Sequence, residues 1–144
     1  MEEIKRKYPE AVEETKTHLG EDTITLKKEY ILPVCQYLKS QGFNFLSDLT
    51  GVDLGVDKEP RFQVIYHLFS IGTQKRLRLK VNLPSGNPTI ESVTPVWKTA
   101  NWFEREAYDL FGINFKNHPN LTRILLPENF EGYPLRKDYP LRGR

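Results

Sequence analysis

The densest run of chemically capable side chains is Trp102-Phe103-Glu104-Arg105-Glu106-Ala107-Tyr108-Asp109. On a helix Glu106 and Asp109 stand three apart and share a face, while Arg105 and Asp109 stand four apart. Two carboxylates on one face suit acid–base chemistry, in which one gives and the other takes a proton. The same spacing suits a structural ion-pair network, with Arg105 bridging the helix to a later segment that carries Arg123, Arg136 and Lys137. The structural reading is favoured, because no nucleophile, metal-ligand set or phosphate loop converges on these carboxylates.

Other chemistry-bearing motifs do not occur. There is no G-x-G-x-x-G and no G-x-x-x-x-G-K-[ST] to cradle a phosphate, and Gly51 and Gly55 read as a turn. His18, His67 and His118 fall in three different elements, with no i, i+4 pair to ligate a metal. A G-x-S-x-G elbow is missing. The one cysteine, Cys35, sits on an apolar helical stripe and reads as a small buried hydrophobe rather than a nucleophile. It excludes an internal disulfide and a thiolate-held zinc or iron–sulfur site, and it points to a reducing compartment. Arg76, Arg78 and Lys80 alternate along a strand and read as its solvated face. The charged residues nearly cancel, to a net +2, which is too weak a field to indicate nucleic acid. No apolar run approaches the ~18–20 residues that span a bilayer. Met1-Glu2-Glu3-Ile4-Lys5 lacks the apolar region of a secretory signal. Any membrane association is expected to go through other proteins.

The elements that must position the cluster follow from periodicity. A chain of 144 residues fits one domain, or one domain with an arm. Residues 2–8 suit a short amphipathic helix. Residues 12–18 read as a polar edge strand that forms a hairpin around Gly20 with residues 23–26. Residues 28–41 read as a helix, since Ile31, Val34, Cys35 and Leu38 fall at i, i+3, i+4 and i+7; Gly42 ends it. Residues 43–52 are apolar with turn residues mixed in. Residues 61–70 are apolar on both faces and suit a central strand, and residues 74–83 alternate cleanly as a half-buried antiparallel one. Residues 89–93 suit a short strand. Residues 97–111 read as the second main helix, with Ala100, Phe103, Ala107 and Leu110 as its core stripe and Gly112 after it. The expected architecture is α+β: a mixed or antiparallel sheet of about four strands with helices on one face.

After Gly112 the character changes. Pro119, Pro127, Pro134 and Pro140 exclude a long helix or an inner strand. The same stretch nevertheless carries Leu121, Ile124, Leu125, Leu126, Phe130, Tyr133, Leu135, Tyr139 and Leu141, which a disordered tail normally lacks. An extended segment with regular apolar anchors must lie on its own domain or on another chain, and a neighbouring chain is the expected cover. The division is therefore an α+β domain over 1–115 and an extended partner-binding arm over 116–144. High aromatic content, 12%, beside 38% apolar residues fits a domain that gives surface to a partner.

Glu104-Arg105-Glu106-Ala107-Tyr108-Asp109-Leu110-Phe111-Gly112-Ile113, then His118-Pro119-Asn120-Leu121, then Arg123-Ile124-Leu125-Leu126-Pro127, then Gly132-Tyr133-Pro134-Leu135-Arg136-Lys137-Asp138-Tyr139-Pro140 closely resembles the 30 kDa subunit family of NADH:quinone oxidoreductase, respiratory complex I. The resemblance implies a non-catalytic scaffold in the peripheral arm of that complex, supporting NADH-to-quinone electron transfer coupled to proton translocation. It implies no flavin, iron–sulfur cluster, quinone or metal in this chain, those groups being held by partners. The expected partners are the large quinone-site subunit and neighbouring iron–sulfur subunits, on the cytoplasmic side of the inner membrane or its organellar equivalent. By position, Glu104, Arg105, Glu106 and Asp109 match the family's helix motif, His118 and Arg123 its connector, and Arg136, Lys137, Asp138 and Tyr139 its arm; these are the expected interface residues. Thr122 stands where the family commonly has a basic residue, so one charged contact is expected to be lost. Many members also run past the Asp-Tyr-Pro step, which implies a shorter hold here. Relatives of complex I that use ferredoxin, reduced deazaflavin or hydrogen carry an equivalent subunit, so the donor stays open. A stand-alone acid–base enzyme using Glu106 and Asp109 is the alternative from another class.

Overall fold

Alternation builds the sheet. In β4 (Phe62–Ser70) Phe62, Val64, Tyr66, Leu68 and Ser70 are buried, and so are Leu77, Leu79, Val81 and Leu83 of β5 (Lys75–Leu83). A period of two sets each group on one face. The antiparallel register, from Phe62 opposite Leu83 to Ser70 opposite Lys75, merges them into one apolar layer. The remaining strands are β1 (Val12–His18), β2 (Glu21–Leu26) and β3 (Phe45–Asp53). The computed structural model, which describes residues 2–140, joins all five in the order β1-β2-β5-β4-β3. Leu141, expected among the arm's anchors, lies outside the described residues. β2 runs parallel to β5 and every other pair is antiparallel, so the sheet is mixed.

The main sheet has five strands rather than about four, and β3 accounts for the difference. Ser47, Asp48 and Gly51 dilute its strand signal, and a bulge between Leu46 and Asp48 breaks its alternation. Pairing with β4 overrides these local preferences. Gly51, expected in a turn, lies inside the strand. A second, two-stranded parallel sheet joins β6 (Thr89–Glu91) to β7 (Asn114–Lys116), and Ile90 and Phe115 face the core from it.

The helices α1 (Glu2–Lys7), α2 (Ile31–Ser40) and α3 (Ala100–Phe111) send their buried residues to the same apolar layer. A 3-10 turn, Lys28–Tyr30, leads into α2. Pro33 falls in the first turn of α2, where a backbone N–H would have no partner inside the helix. The stripe Ile31, Val34, Cys35 and Leu38 is buried as its spacing dictates. α3 differs from expectation. It starts at Ala100, because Trp97 folds into the core and its Nε1 donates to Phe43 O at 3.1 Å. Its buried positions are Ala100, Glu104, Ala107 and Asp109, while Phe103 and Leu110 are half-buried. Two acids have replaced two hydrophobes on its inner face.

Two glycines set how closely the parts approach. A Cβ on Gly51 would stand 2.8 Å from Phe111 Cδ2 and 3.0 Å from Ile113 Cδ1, so the bare backbone of β3 admits the end of α3. Gly112, at φ +77°, closes α3 in the left-handed conformation, and its N–H bonds Tyr108 O at 2.8 Å. A Cβ there would meet Arg136 Nη2 at 2.7 Å and the Tyr133 ring at 2.8 Å. Gly51→Ala is expected to lower unfolding stability by about 1–3 kcal/mol through overpacking against Phe111, read as a lower urea midpoint at unchanged m.

Candidate functional site

Residues 117–140 contain no helix or strand, so their backbone groups need partners from elsewhere. Two carboxylates of the domain supply them. Asp109, in the last turn of α3, is 0% exposed. Its Oδ1 accepts from Arg123 Nη1 at 2.9 Å. Its Oδ2 accepts three successive backbone N–H groups, from Ile124 at 3.1 Å, Leu125 at 2.7 Å and Leu126 at 3.0 Å. Burial alone would raise the Asp109 pKa; the three amides and Arg123 outweigh it and hold the carboxyl below its ordinary range. The second anchor is Asp53, at the inner-face end of β3. Arg61 grips it with two bonds, Nε to Oδ1 and Nη2 to Oδ2, both at 2.8 Å. The N–H of Gly55 donates to Oδ1 at 3.0 Å and that of Lys137 to Oδ2 at 2.7 Å. The Arg61 fork, with these amides, keeps Asp53 ionised well below the usual carboxylate range.

Arginines fill the space between the anchors. Arg123 Nη2 donates to Gly132 O at 2.7 Å, and its guanidinium lies 5.6 Å from the Phe130 ring centroid and 5.0 Å from that of Tyr133. Arg136 Nε donates to Phe111 O at 2.6 Å, capping α3 with a cation at its negative end. The Arg136 guanidinium stands 4.9 Å from both the Phe62 and Tyr133 rings. Leu135 N–H donates to Leu110 O at 3.0 Å. Arg105 Nε reaches Thr122 O at 3.2 Å, and its Nη2 reaches Thr122 Oγ1 at 3.0 Å and Arg123 O at 3.2 Å. Thr122, at the position where a charged contact is expected to be lost, serves as an acceptor for Arg105.

Glu104, also 0% exposed, points from α3 to the loop after β6. Ser92 Oγ donates to its Oε1 at 2.6 Å and Val93 N–H to its Oε2 at 2.8 Å. Desolvation is stronger than these bonds and pushes its carboxyl up to about 7. His118 Nε2 lies 4.0 Å away, with the ring enclosed. His118 Nδ1 accepts from Asn120 N–H at 3.0 Å, so the neutral ring carries its proton on Nε2 and donates to Asn101 O at 3.2 Å. Burial holds its pKa below the ordinary histidine value.

The ten expected interface residues thus divide. Glu104 and Asp109 are enclosed by their own chain and present no surface to another molecule. Arg105, His118 and Arg123 direct their hydrogen bonds within the chain, Arg136 does so through Nε, and Asp138 pairs with Arg61 at 2.8 Å while remaining half exposed. Lys137 uses only its backbone N–H, leaving its side chain outward. The Tyr139 ring stacks on Phe130, centroids 6.3 Å apart. Glu106 is half-buried on α3. The acid–base pairing of Glu106 with Asp109 fails, because both Asp109 oxygens are occupied by structural donors. Asp53 and Arg61 were not singled out from sequence. Their signal was the alternation Leu49, Gly51, Asp53, which places an acid on the inner face of β3. The neighbouring cover expected for the arm is partly supplied by the domain itself. Leu121 packs against the core, whereas Leu125 and Leu135 face outward.

The family model of the respiratory-chain NADH dehydrogenase, 30 Kd subunit, matches residues 24–144. An NADH-quinone oxidoreductase subunit from Geotalea uraniireducens is 48% identical over 97% of this chain and 85% of its own length. Its counterpart from Roseiflexus is 42% identical over 98% and 82%. Among solved structures, the trypsin-resistant fragment (1-134) of Nqo5 superposes with a TM-score of 0.73 at 36% identity, covering 83% of this chain and 95% of that one. A chain of the membrane-bound sulfane sulfur reductase, an archaeal respiratory membrane complex, superposes at 0.84 over 99% of this chain and 84% of its own, with 22% identity, and that likeness concerns the fold.

Asp109→Ala leaves three amides and the Arg123 charge without a partner. It is expected to cost about 3–5 kcal/mol in urea unfolding, whereas Asp138→Asn, at an exposed rim, should move the urea midpoint far less. Glu104 makes a pH prediction of definite sign. Its carboxyl titrates near 4.5 when unfolded and about 7 when folded, so the folded state binds the extra proton between those values. Stability from this group is present below pH 4.5 and is lost as pH rises through 7. His118 works oppositely below its ordinary 6.5, so the comparison with Glu104→Gln isolates the carboxyl. The wild-type stability, measured relative to that variant, should fall by roughly 2–3 kcal/mol from about pH 4.5 to about pH 7.5.

Proposed function

The chain belongs to the family of the 30 kDa subunit of respiratory-chain NADH dehydrogenase, and from that premise we propose that it is a non-catalytic scaffold of the peripheral arm of an NADH:quinone oxidoreductase. In this reading it packs against the large quinone-site subunit, beside the iron–sulfur subunits, on the cytoplasmic side of the membrane or its organellar equivalent. Flavin, clusters and quinone belong to the partners, and this chain holds their carriers in place. Among the described residues no helix is long and apolar enough to cross a membrane. Attachment through neighbours agrees with that.

One observation carries the proposal. The arm is tied inward by its main chain and its arginines, while Leu125 and Leu135 stand 52% and 53% exposed. A segment fixed by buried polar bonds with leucines turned to solvent is a preformed apolar ledge. Trp102, 52% exposed on α3, adds an aromatic anchor of the kind enriched in interface cores. Because the ledge is already ordered, docking does not carry the conformational cost of fixing a loose tail. Two of the carboxylates of α3, Glu104 and Asp109, are engaged in structural bonds, which supports a scaffold over an acid–base site.

The test uses Leu125→Asp with Leu135→Asp in the full chain. Both side chains are exposed, so unfolding stability should change by no more than about 0.5 kcal/mol per site. Recovery of the large quinone-site subunit with the tagged chain from native membranes should fall at least tenfold. Unchanged recovery would remove the arm as the main contact. The purified chain alone should show no flavin absorption and no NADH oxidation; either activity would defeat the non-catalytic reading.

A further inference from the structure

The main sheet has a second face. The buried residues of the helices, of the small sheet and of Asp53 all lie on the first one. On the second, β4 presents Gln63, Ile65, His67 and Phe69, all half-buried, and β5 presents Arg76, Arg78, Lys80 and Asn82. The register sets Phe69 beside Arg76, His67 beside Arg78 and Ile65 beside Lys80. The three cations occupy the central strand at steps of roughly 6.7 Å, twice the rise of a strand. Among the described residues none of them has a carboxylate within 4.0 Å. Arg76 lies over the Phe69 ring, 5.4 Å from its centroid, which holds the guanidinium against the sheet.

We propose that this face docks an acidic segment of a neighbouring polypeptide, laid along β5 so that its carboxylates meet Arg76, Arg78 and Lys80. Carboxylates on alternate residues of an extended segment recur at the same ~6.7 Å step as the three cations. Arginine presents a planar fork that binds a carboxylate through two parallel bonds. Ile65 and Phe69 beside the cations supply an apolar floor for intervening side chains.

The border of the face selects the class of occupant. Glu14 sits across Thr25 from Lys80, Lys16 sits across Thr23 from Arg78, and Asp48 pairs with His67. Glu21 precedes Asp22, the partner of Leu77, and so lies next to the row of Arg76. Glu14, Glu21 and Asp48, with Lys16 among them, give the cationic row a border of alternating sign, which disfavours a polyphosphate or an anionic lipid surface, whose charge is continuous. A polypeptide with discrete carboxylates along one line, and neutral or basic groups to each side, avoids them. The contact goes beyond the arm-mediated docking, because the arm and its ledge are built on the opposite face; both can be occupied together.

The test compares the acylation rate of Lys80 by N-hydroxysuccinimide acetate in the free full-length chain and in the complex purified from native membranes. Lys80 should react at least tenfold more slowly in the complex, and carbodiimide should join it to an Asp or Glu of a neighbouring chain. With Arg76→Gln and Arg78→Gln the rate in the complex should return to within a factor of about two of the free chain. Both substituted side chains lie outside the core, and a thermal melt checks that the fold is kept. Equal rates in free and assembled wild type overturn the proposal. So does protection that disappears on nuclease treatment or lipid removal, and so does protection with no carboxylate cross-link. Acylation of Lys137, on the arm, reports the other contact separately.

Discussion

The Asp109 carboxylate sits where a helix least favours it. The C-terminal end of α3 carries the negative end of the helix dipole, and the residue has no contact with water. It remains ionised because Arg123 and three successive amides converge on its two oxygens. The dependence runs in both directions. Residues 124–126 have no ladder of their own and would leave their N–H groups unpaired without that carboxylate. Domain and arm are each electrically incomplete, and one shared interaction completes both.

The rest of the arm follows from where that knot lies. With residues 123–126 fixed, the chain returns across the end of α3, where Arg136 caps Phe111 O and slots between the Phe62 and Tyr133 rings. The close passage requires Gly112 to have no side chain. Farther on, Asp53 and Arg61 receive Lys137 and Asp138. Several polar groups of this segment point inward while Leu125 and Leu135 point outward, the reverse of an ordinary globular surface. That inversion makes the arm a rigid contact surface instead of a tether.

Much of the domain was legible because burial on one face leaves a period in the residues. β4, β5 and α2 declared themselves by spacing, and the buried positions match it. β3 was hidden by Gly51 and a bulge, both of which serve contacts made far away in the chain. α3 was legible as a helix, but its inner face was misassigned: hydrophobic periodicity cannot anticipate that Glu104 and Asp109 are buried when the donors that satisfy them come from residues 92–93 and 123–126. The tail residues stand out in the sequence by their apolar spacing and by the motif they carry. Their partners within the chain, Asp53 and Arg61 above all, lie some eighty residues away and left no local trace. Charge pairing across such distances is specified by the tertiary fold alone.

The sequence separation of the two halves of the second anchor has a consequence for biosynthesis. Asp53 and Arg61 are eight positions apart and meet through the β3–β4 hairpin, whereas Lys137 lies 84 positions beyond Asp53. During translation the receptor half is assembled while the tail is still inside the ribosome. The final segment then closes onto a finished site. The leucine ledge is consequently completed only after the receptor half of the second anchor has been made.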